Sequence, residues 1–144
     1  MIRHTLAALA LMSIVGCSTT TSIAPLAGSD TEHAQLAAYA ASNKFPADLK
    51  PSSDLHVGAI TNPGDGKVKL VNFADQPVRD ARIWVNGLYV YRVEMIPGHG
   101  SVSIKESDFF DSTGNNMATL KAFPTKIQLE ITDHLYNVAN ATMQ

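Results

Sequence analysis

The chain has 144 residues, with 11 basic and 13 acidic side chains and a single cysteine. That length has room for one domain, and the charge balance offers no basic stripe of the kind that phosphate neutralisation demands of a nucleic-acid binder. One cysteine, at position 17, rules out a disulfide within the monomer, a zinc ribbon and CxxC redox chemistry.

Met1 to His4 carry one fixed positive charge, at Arg3, and Thr5 to Val15 form an apolar run of signal-peptide length. The run is too short for a spanning helix, which needs about 20 apolar residues. Ile14-Val15-Gly16-Cys17 closes it. This order resembles the lipobox of bacterial lipoproteins: an aliphatic residue, a tolerant position, a small residue and then the cysteine. Leu is the usual aliphatic residue there, and Ile14 is a less typical choice. The thiolate of Cys17 is the nucleophile that would take up a diacylglyceryl group as a thioether, and Gly16 leaves the scissile bond open to a peptidase. The competing reading is an ordinary secretory signal with a chance cysteine. Its small residues, Ala7, Ala8 and Ala10, lie inside the apolar run instead of after it. The resemblance implies a signal peptide over residues 1–16, lipidation at Cys17 and a membrane partner held through that lipid, with the mature chain in the cell envelope. Ser18 follows the cysteine where Asp would signal inner-membrane retention, so in a Gram-negative cell the resemblance implies the outer membrane. The mature chain would carry 10 basic against 13 acidic groups.

Ser18 to Asp30 reads as a hydroxyl-rich tether broken by Pro25 and Gly28. Thr31 to Ser42 has helical composition, with Ser29, Asp30 or Thr31 as N-cap and a narrow apolar stripe at Leu36, Tyr39 and Ala40. Three turns are marginal alone, so this helix must dock on something. Pro46 and Pro51 mark a second linker, and residues 17–53 together form a tether region preceding a β-domain over 54–144.

From Asp54 the pattern changes to strands and turns. Leu55–Ile60 is the first expected strand. Asn62-Pro63-Gly64-Asp65-Gly66 is a dense turn, and Lys67–Phe73 alternates with Val68 and Leu70 on one side. Ala81–Val85 and Leu88–Met95 flank Asn86-Gly87, the strongest short hairpin signal, since a type I′ turn needs positive φ at both positions. A two-residue loop there sets Val85 opposite Leu88 and Trp84 opposite Tyr89. Pro97-Gly98-His99-Gly100 is another turn, and Val102 and Ile104 alternate. Phe109-Phe110 is an apolar plug before a polar loop, Asp111 to Asn116. Lys126–Thr132 puts Ile127, Leu129 and Ile131 inward, and Leu135–Val138 is a last short strand. Seven short strands at regular spacing predict a mainly β fold: a small antiparallel sandwich of immunoglobulin or fibronectin type III kind. The likeness is architectural, because the antibody cysteine pair is absent. The stretch Val68–Ile104 also resembles small β-sandwich domains of uncharacterised bacterial lipoproteins, a likeness that implies no activity.

Motifs for chemistry are sparse. His33, His56, His99 and His134 lack zinc spacing, so neither a metal nor another cofactor is expected. Asp111, Thr113 and Asn115 offer oxygens at i, i+2 and i+4, yet the EF-hand positions for Gly and Glu fall on Asn116 and Ala122. A polar loop is the better account. Asp108 stands beside the same loop. Gly98-His99-Gly100-Ser101 fits no nucleophile motif, and phosphate loops are absent. Trp84, Tyr89 and Tyr91 are the candidate ligand- or partner-binding residues, since one shared face would stack on sugars or grip a protein. The competing reading makes them core, which aromatic strand residues usually are. The expectation is a noncatalytic envelope lipoprotein, a structural or interaction module for another envelope protein. The alternatives are a tethered carbohydrate or small-ligand binder and, last, an enzyme.

Overall fold

The computed structural model describes residues 28–142. The expected signal peptide, the lipidation site Cys17 and the tether residues 18–27, Ser18 included, lie outside the described residues. Within 28–142 the chain forms α1 (Gly28–Ser42), β1 (Val57–Asn62), β2 (Lys67–Asn72), β3 (Val78–Val85) and β4 (Tyr89–Ile96). Then follow β5 (Ser101–Lys105), a 3₁₀ turn over Glu106–Asp108, β6 (Ile127–Ile131) and β7 (His134–Thr142). The mainly β expectation holds. The strands form one sheet in the order β4-β3-β6-β7-β1-β2-β5, which curls into a nearly closed barrel. β7 is the seam: its first half runs antiparallel to β6 and its second half parallel to β1.

Period-2 alternation drives the strands. Val57, Ala59, Val68, Leu70, Ile83, Val85, Ile127 and Leu129 turn inward and build the main core with Phe109 and Met117. Burying each of the larger side chains is worth roughly 1.5–3 kcal/mol. β3 and β4 carry an irregularity that the sequence pattern hides. Asp80 has φ 49°, and the buried positions step by three, from Val78 to Ala81 and from Val93 to Ile96. Both strands change phase together at this kink. Simple alternation therefore stops short of it, which is why β3 was expected only from Ala81.

The Asn86-Gly87 turn forms with both residues at positive φ, 56° and 66°, and the Leu88 N–H donates to the Val85 carbonyl. The expected pairing across it is nevertheless corrected. Val85 pairs with Tyr89, Trp84 with Val90, Ile83 with Tyr91 and Arg82 with Arg92. Leu88 is an extra, unpaired residue in the loop, and a one-residue slip exchanges the faces of a strand. Asn86 also explains why the turn stays in place. Its amide donates to the Phe123 carbonyl at 2.8 Å, and its side-chain oxygen accepts from the backbone N–H groups of Thr125 and Lys126.

Other boundaries shift as well. α1 begins at Gly28, so Asp30 and Thr31 lie within its first turn instead of capping it. β7 has nine residues where a short strand was expected. The helix does dock. Ala40, with Leu36, Ala37 and Tyr39 beside it, joins Phe45 and Leu49 in a second apolar cluster, which covers Trp84, Val90, Phe110 and Leu135 on the outer face of the sheet. Ser52 then bridges to β7, donating its N–H to the Leu135 carbonyl and accepting from the Asn137 N–H. Residues 28–53 are thus packed on the β-domain, and the sheet they cover is buried on both faces.

The barrel has two distinct ends. The β1–β2 turn, the β3–β4 turn and the β5–β6 connection gather at the lower end. The β2–β3, β4–β5 and β6–β7 connections gather at the upper end.

Candidate functional site

The site is best assembled from β3 and β6 outward. Their antiparallel register sets Arg82 opposite Glu130 and Trp84 opposite Gln128, all on the outer face. A carboxylate between Leu129 and Ile131 alternates away from the core, as a strand requires. Here α1 lies over it, and Glu130 is buried. A buried carboxylate must find donors. One Glu130 oxygen accepts from the Arg82 guanidinium, and the other accepts the Trp84 indole N–H at 2.8 Å. Arg82 Nε donates in turn to the Tyr39 hydroxyl at 3.2 Å. Burial lowers the Arg82 pKa, but the Tyr39 hydrogen bond and the Glu130 charge more than offset this, so it is raised overall and the guanidinium stays charged.

This chain of contacts floors a cleft of about 370 Å³ lined by Tyr39, Asp80, Arg82, Arg92, Glu130, Thr132 and Asp133. Three of these residues, Asp80, Thr132 and Asp133, have positive φ. Such backbone settings cost about 1–3 kcal/mol each in sparsely populated regions and gather at functional sites. Thr132 and Asp133 also form the two-residue β6–β7 turn. Arg92 pairs with Asp80 at 3.0 Å on the exposed rim. The floor is committed to internal bonds, while the rim presents Asp133, Asp80 and Arg92 to solvent. This arrangement can recognise a polar or charged group by hydrogen bonding. The carboxylate it buries is engaged on both oxygens, which does not prepare it for proton transfer.

The sequence candidates are placed otherwise. Trp84 is 2% and Tyr89 4% exposed. Trp84 faces α1 and meets Phe45 edge-on, with ring centroids 5.4 Å apart. Tyr89 belongs to the main core, and the half-buried Tyr91 packs against it beside Phe109. The three do not share a face, because the Leu88 slip turns Trp84 away from both tyrosines. Burial raises both phenol pKa values, with Asp111 adding to the effect at Tyr89 and Asp108, Glu32 and Glu94 at Tyr91.

The histidines are scattered. His33 meets Asp108 at 3.2 Å and Phe110 edge-on, His99 meets exposed Asp75, and His134 stacks on Tyr136. Among the described residues no group of three or more His, Cys, Asp or Glu side chains is gathered for a metal ion. The Asp111 loop closes on itself. Asp111 Oδ1 accepts from the Thr113 N–H, the Thr113 hydroxyl and the Asn115 N–H, at 2.7–3.0 Å. Burial pushes this carboxyl's pKa up, but the donors of Thr113 and Asn115 outweigh it and the net shift is downward. The unfolded value is about 3.9. Asp111 therefore contributes stability that is present in full above that pH and is lost as pH falls through the lower native value. Thermal melts of Asp111→Asn should show a lower melting temperature at neutral pH and a shallower decline below about pH 4. An acid limb as steep as that of the unaltered protein would contradict this role.

No protein-family model, curated protein or solved structure matches the chain. Sequence reasoning missed the Tyr39–Arg82–Glu130–Trp84 chain. The available signal was Gln128 and Glu130 on the outward side of an otherwise apolar strand that a helix would have to cover.

Proposed function

We propose that this protein is a lipid-anchored component of the bacterial cell envelope that acts as a noncatalytic interaction or structural module. The observation that carries the reading is Ile14-Val15-Gly16-Cys17 at the end of the apolar N-terminal run, with the only cysteine of the chain at the lipobox position. Acyl chains on that cysteine would hold the domain stably, since two or more chains suffice where one does not. With Ser18 next in the chain, the outer membrane is its place in a Gram-negative cell. The partner we assign is another envelope protein, met through the charged rim of Asp80, Arg92 and Asp133.

The fold we assign is immunoglobulin or fibronectin type III-like. In its support, β1-β2-β5 and β4-β3-β6-β7 form two strand groups with the first strand parallel to the last. The aromatic residues of the carbohydrate-binding alternative are buried or half-buried on two faces, which weighs against it. Comparing the protein with Cys17→Ala in the native cell tests the anchor. The unaltered protein should fractionate with membranes and yield an acylated N-terminal cysteine by mass spectrometry. A Cys17→Ala chain that matures to the same size and stays membrane-bound would refute the reading. Crosslinking in native membranes should then recover a partner through the Asp80–Asp133 rim and lose it with Arg92→Glu.

A further inference from the structure

The two ends of the barrel differ in charge. The upper end carries Asp75, Asp80, Glu94 and Asp133 against Arg79 and Arg92. At the lower end Lys67 and Lys105 are set directly opposite each other in the β2–β5 register. Like charges so placed repel and destabilise a strand pair. Lys121 stands in the nearby connection at φ 50°, beside Phe123 and Glu106. Lys44 and Lys126 flank the Asn86-Gly87 turn. The acids of this end are Asp65, Glu106 and Asp111, the last bonded within its own loop, and among the described residues no lysine is in a salt bridge.

The same end exposes large apolar side chains on loops. Leu88 is 50%, Leu120 52% and Phe123 40% exposed; the upper end exposes Phe73 and Met95, so it is the lysines that set the lower end apart. The loops that carry them are fastened together. Asn86 of the β3–β4 turn holds the Phe123 carbonyl, Asn140 of β7 donates to Pro124, and the Glu106 N–H donates to the Gly66 carbonyl. Solvent-exposed Leu and Phe on braced loops, ringed by unpaired lysines, match an interface that is apolar below a negatively charged surface. α1 reaches this end through its C-terminus, where Asn43, Lys44 and Phe45 lie beside Gly87 and Leu88. Ten residues separate Cys17 from Gly28, a reach of at most about 35 Å.

We infer that the lower end of the barrel is a membrane-contacting surface, with Leu88, Leu120 and Phe123 entering an anionic phospholipid surface and Lys67, Lys105 and Lys121 meeting its headgroups. As an orientation of the anchored domain this rests on the lipid-anchor reading, but the surface itself is testable without the anchor. It leaves the acidic upper end and the Asp80–Asp133 rim pointing away from the membrane.

The test uses the chain from Ser18 to Gln144 without acylation, which retains every described residue, in co-sedimentation with vesicles of phosphatidylglycerol and phosphatidylcholine or of phosphatidylcholine alone. Binding should favour the anionic vesicles and weaken with salt. Near a surface each lysine is worth about fivefold, so Lys67→Gln/Lys105→Gln/Lys121→Gln should weaken binding on the order of a hundredfold. Leu120→Ser/Phe123→Ser should weaken it further, and Arg79→Gln should leave it unchanged. Thermal melts of the same samples check that each variant is folded. Equal binding to neutral and anionic vesicles overturns the inference. So does a folded triple-lysine variant that binds undiminished. Because no acyl chain is present, these failures leave the Cys17 reading to its own test.

Discussion

Gly98→Ala should unfold the domain more readily than any other single-methyl addition at its glycines. A β-carbon at Gly98 would stand 2.0 Å from the Asp75 carbonyl oxygen and 2.7 Å from its carbon, with the Ala74 oxygen at 3.2 Å. All three are backbone atoms, so no side chain can rotate aside. Relief requires the β4–β5 turn to part from the β2–β3 turn. That movement breaks the bond from the His99 N–H to the Ala74 carbonyl, and it disturbs Asn72, whose buried amide is satisfied by the Gln76 and Ile96 carbonyls. Overpacking costs typically about 1–3 kcal/mol and occasionally more. With backbone on both sides we expect about 3 kcal/mol and a fall in melting temperature on the order of 10 °C. Gly64→Ala is the matched control, because its nearest neighbour would be the Asn62 side-chain oxygen at 3.6 Å. It should change stability by less than about 1 kcal/mol. Equal melting temperatures for the two variants would show that the upper turns are not wedged together.

Glu130→Ala should have the second large effect, and it should act on the helix as much as on the sheet. The substitution strands two donors at once, the Trp84 indole N–H and the Arg82 guanidinium. An unsatisfied buried donor costs about 1–3 kcal/mol. Breaking a fully buried ion pair costs about 3–5 kcal/mol, a figure to be discounted here because the Arg82 side chain is 41% exposed. A loss of about 3 kcal/mol is the expected sum. Glu130→Gln keeps an acceptor for Trp84 and should lose less. Trp84 is the only tryptophan in the protein, so its fluorescence reports directly on whether α1 still covers the site. A red shift in Glu130→Ala together with the destabilisation is the expected pair of results. In a double-mutant cycle, Arg82→Ala and Glu130→Ala should couple by about 1–2 kcal/mol. Strict additivity would mean that the contact contributes nothing.

Much of the fold was legible because local chemistry determines it. Val68, Leu70, Ile127 and Leu129 alternate as half-buried strands must. Asn86-Gly87 could only be a turn, and Leu36, Tyr39 and Ala40 did mark the docking stripe of α1. The errors share one origin, in that each depends on a contact the chain makes far from itself. Leu88 looks like a strand residue, and only the observed pairing of Val85 with Tyr89 reveals it as the loop's third member. From that one slip followed the mistaken grouping of Trp84 with Tyr89 and Tyr91. Asp80 reads as an ordinary break before a strand, whereas the compensating phase change on β4 lets β3 run through it. The candidate site was hidden for the same reason. Tyr39, Arg82 and Glu130 come from three elements, and no spacing in the sequence joins residues 43 and 48 positions apart. The candidate membrane-facing end is equally non-local, since its lysines are spread from the first strands to the connection before β6.

The double allegiance of β7 governs the order in which the domain can be completed. Gly58–Thr61 find their parallel neighbours at Ala139–Thr142, and Ile127–Ile131 find their antiparallel neighbours at His134–Val138. Until β7 is available, β1 and β6 each present a bare edge of unpaired peptide groups, and no strand pairing joins the two halves of the sheet. Contacts between strands this distant in the chain close slowly, because the intervening loop must lose its entropy first. A chain cut short before Leu135 would be open-edged, a substrate for proteases and aggregation instead of a smaller folded domain.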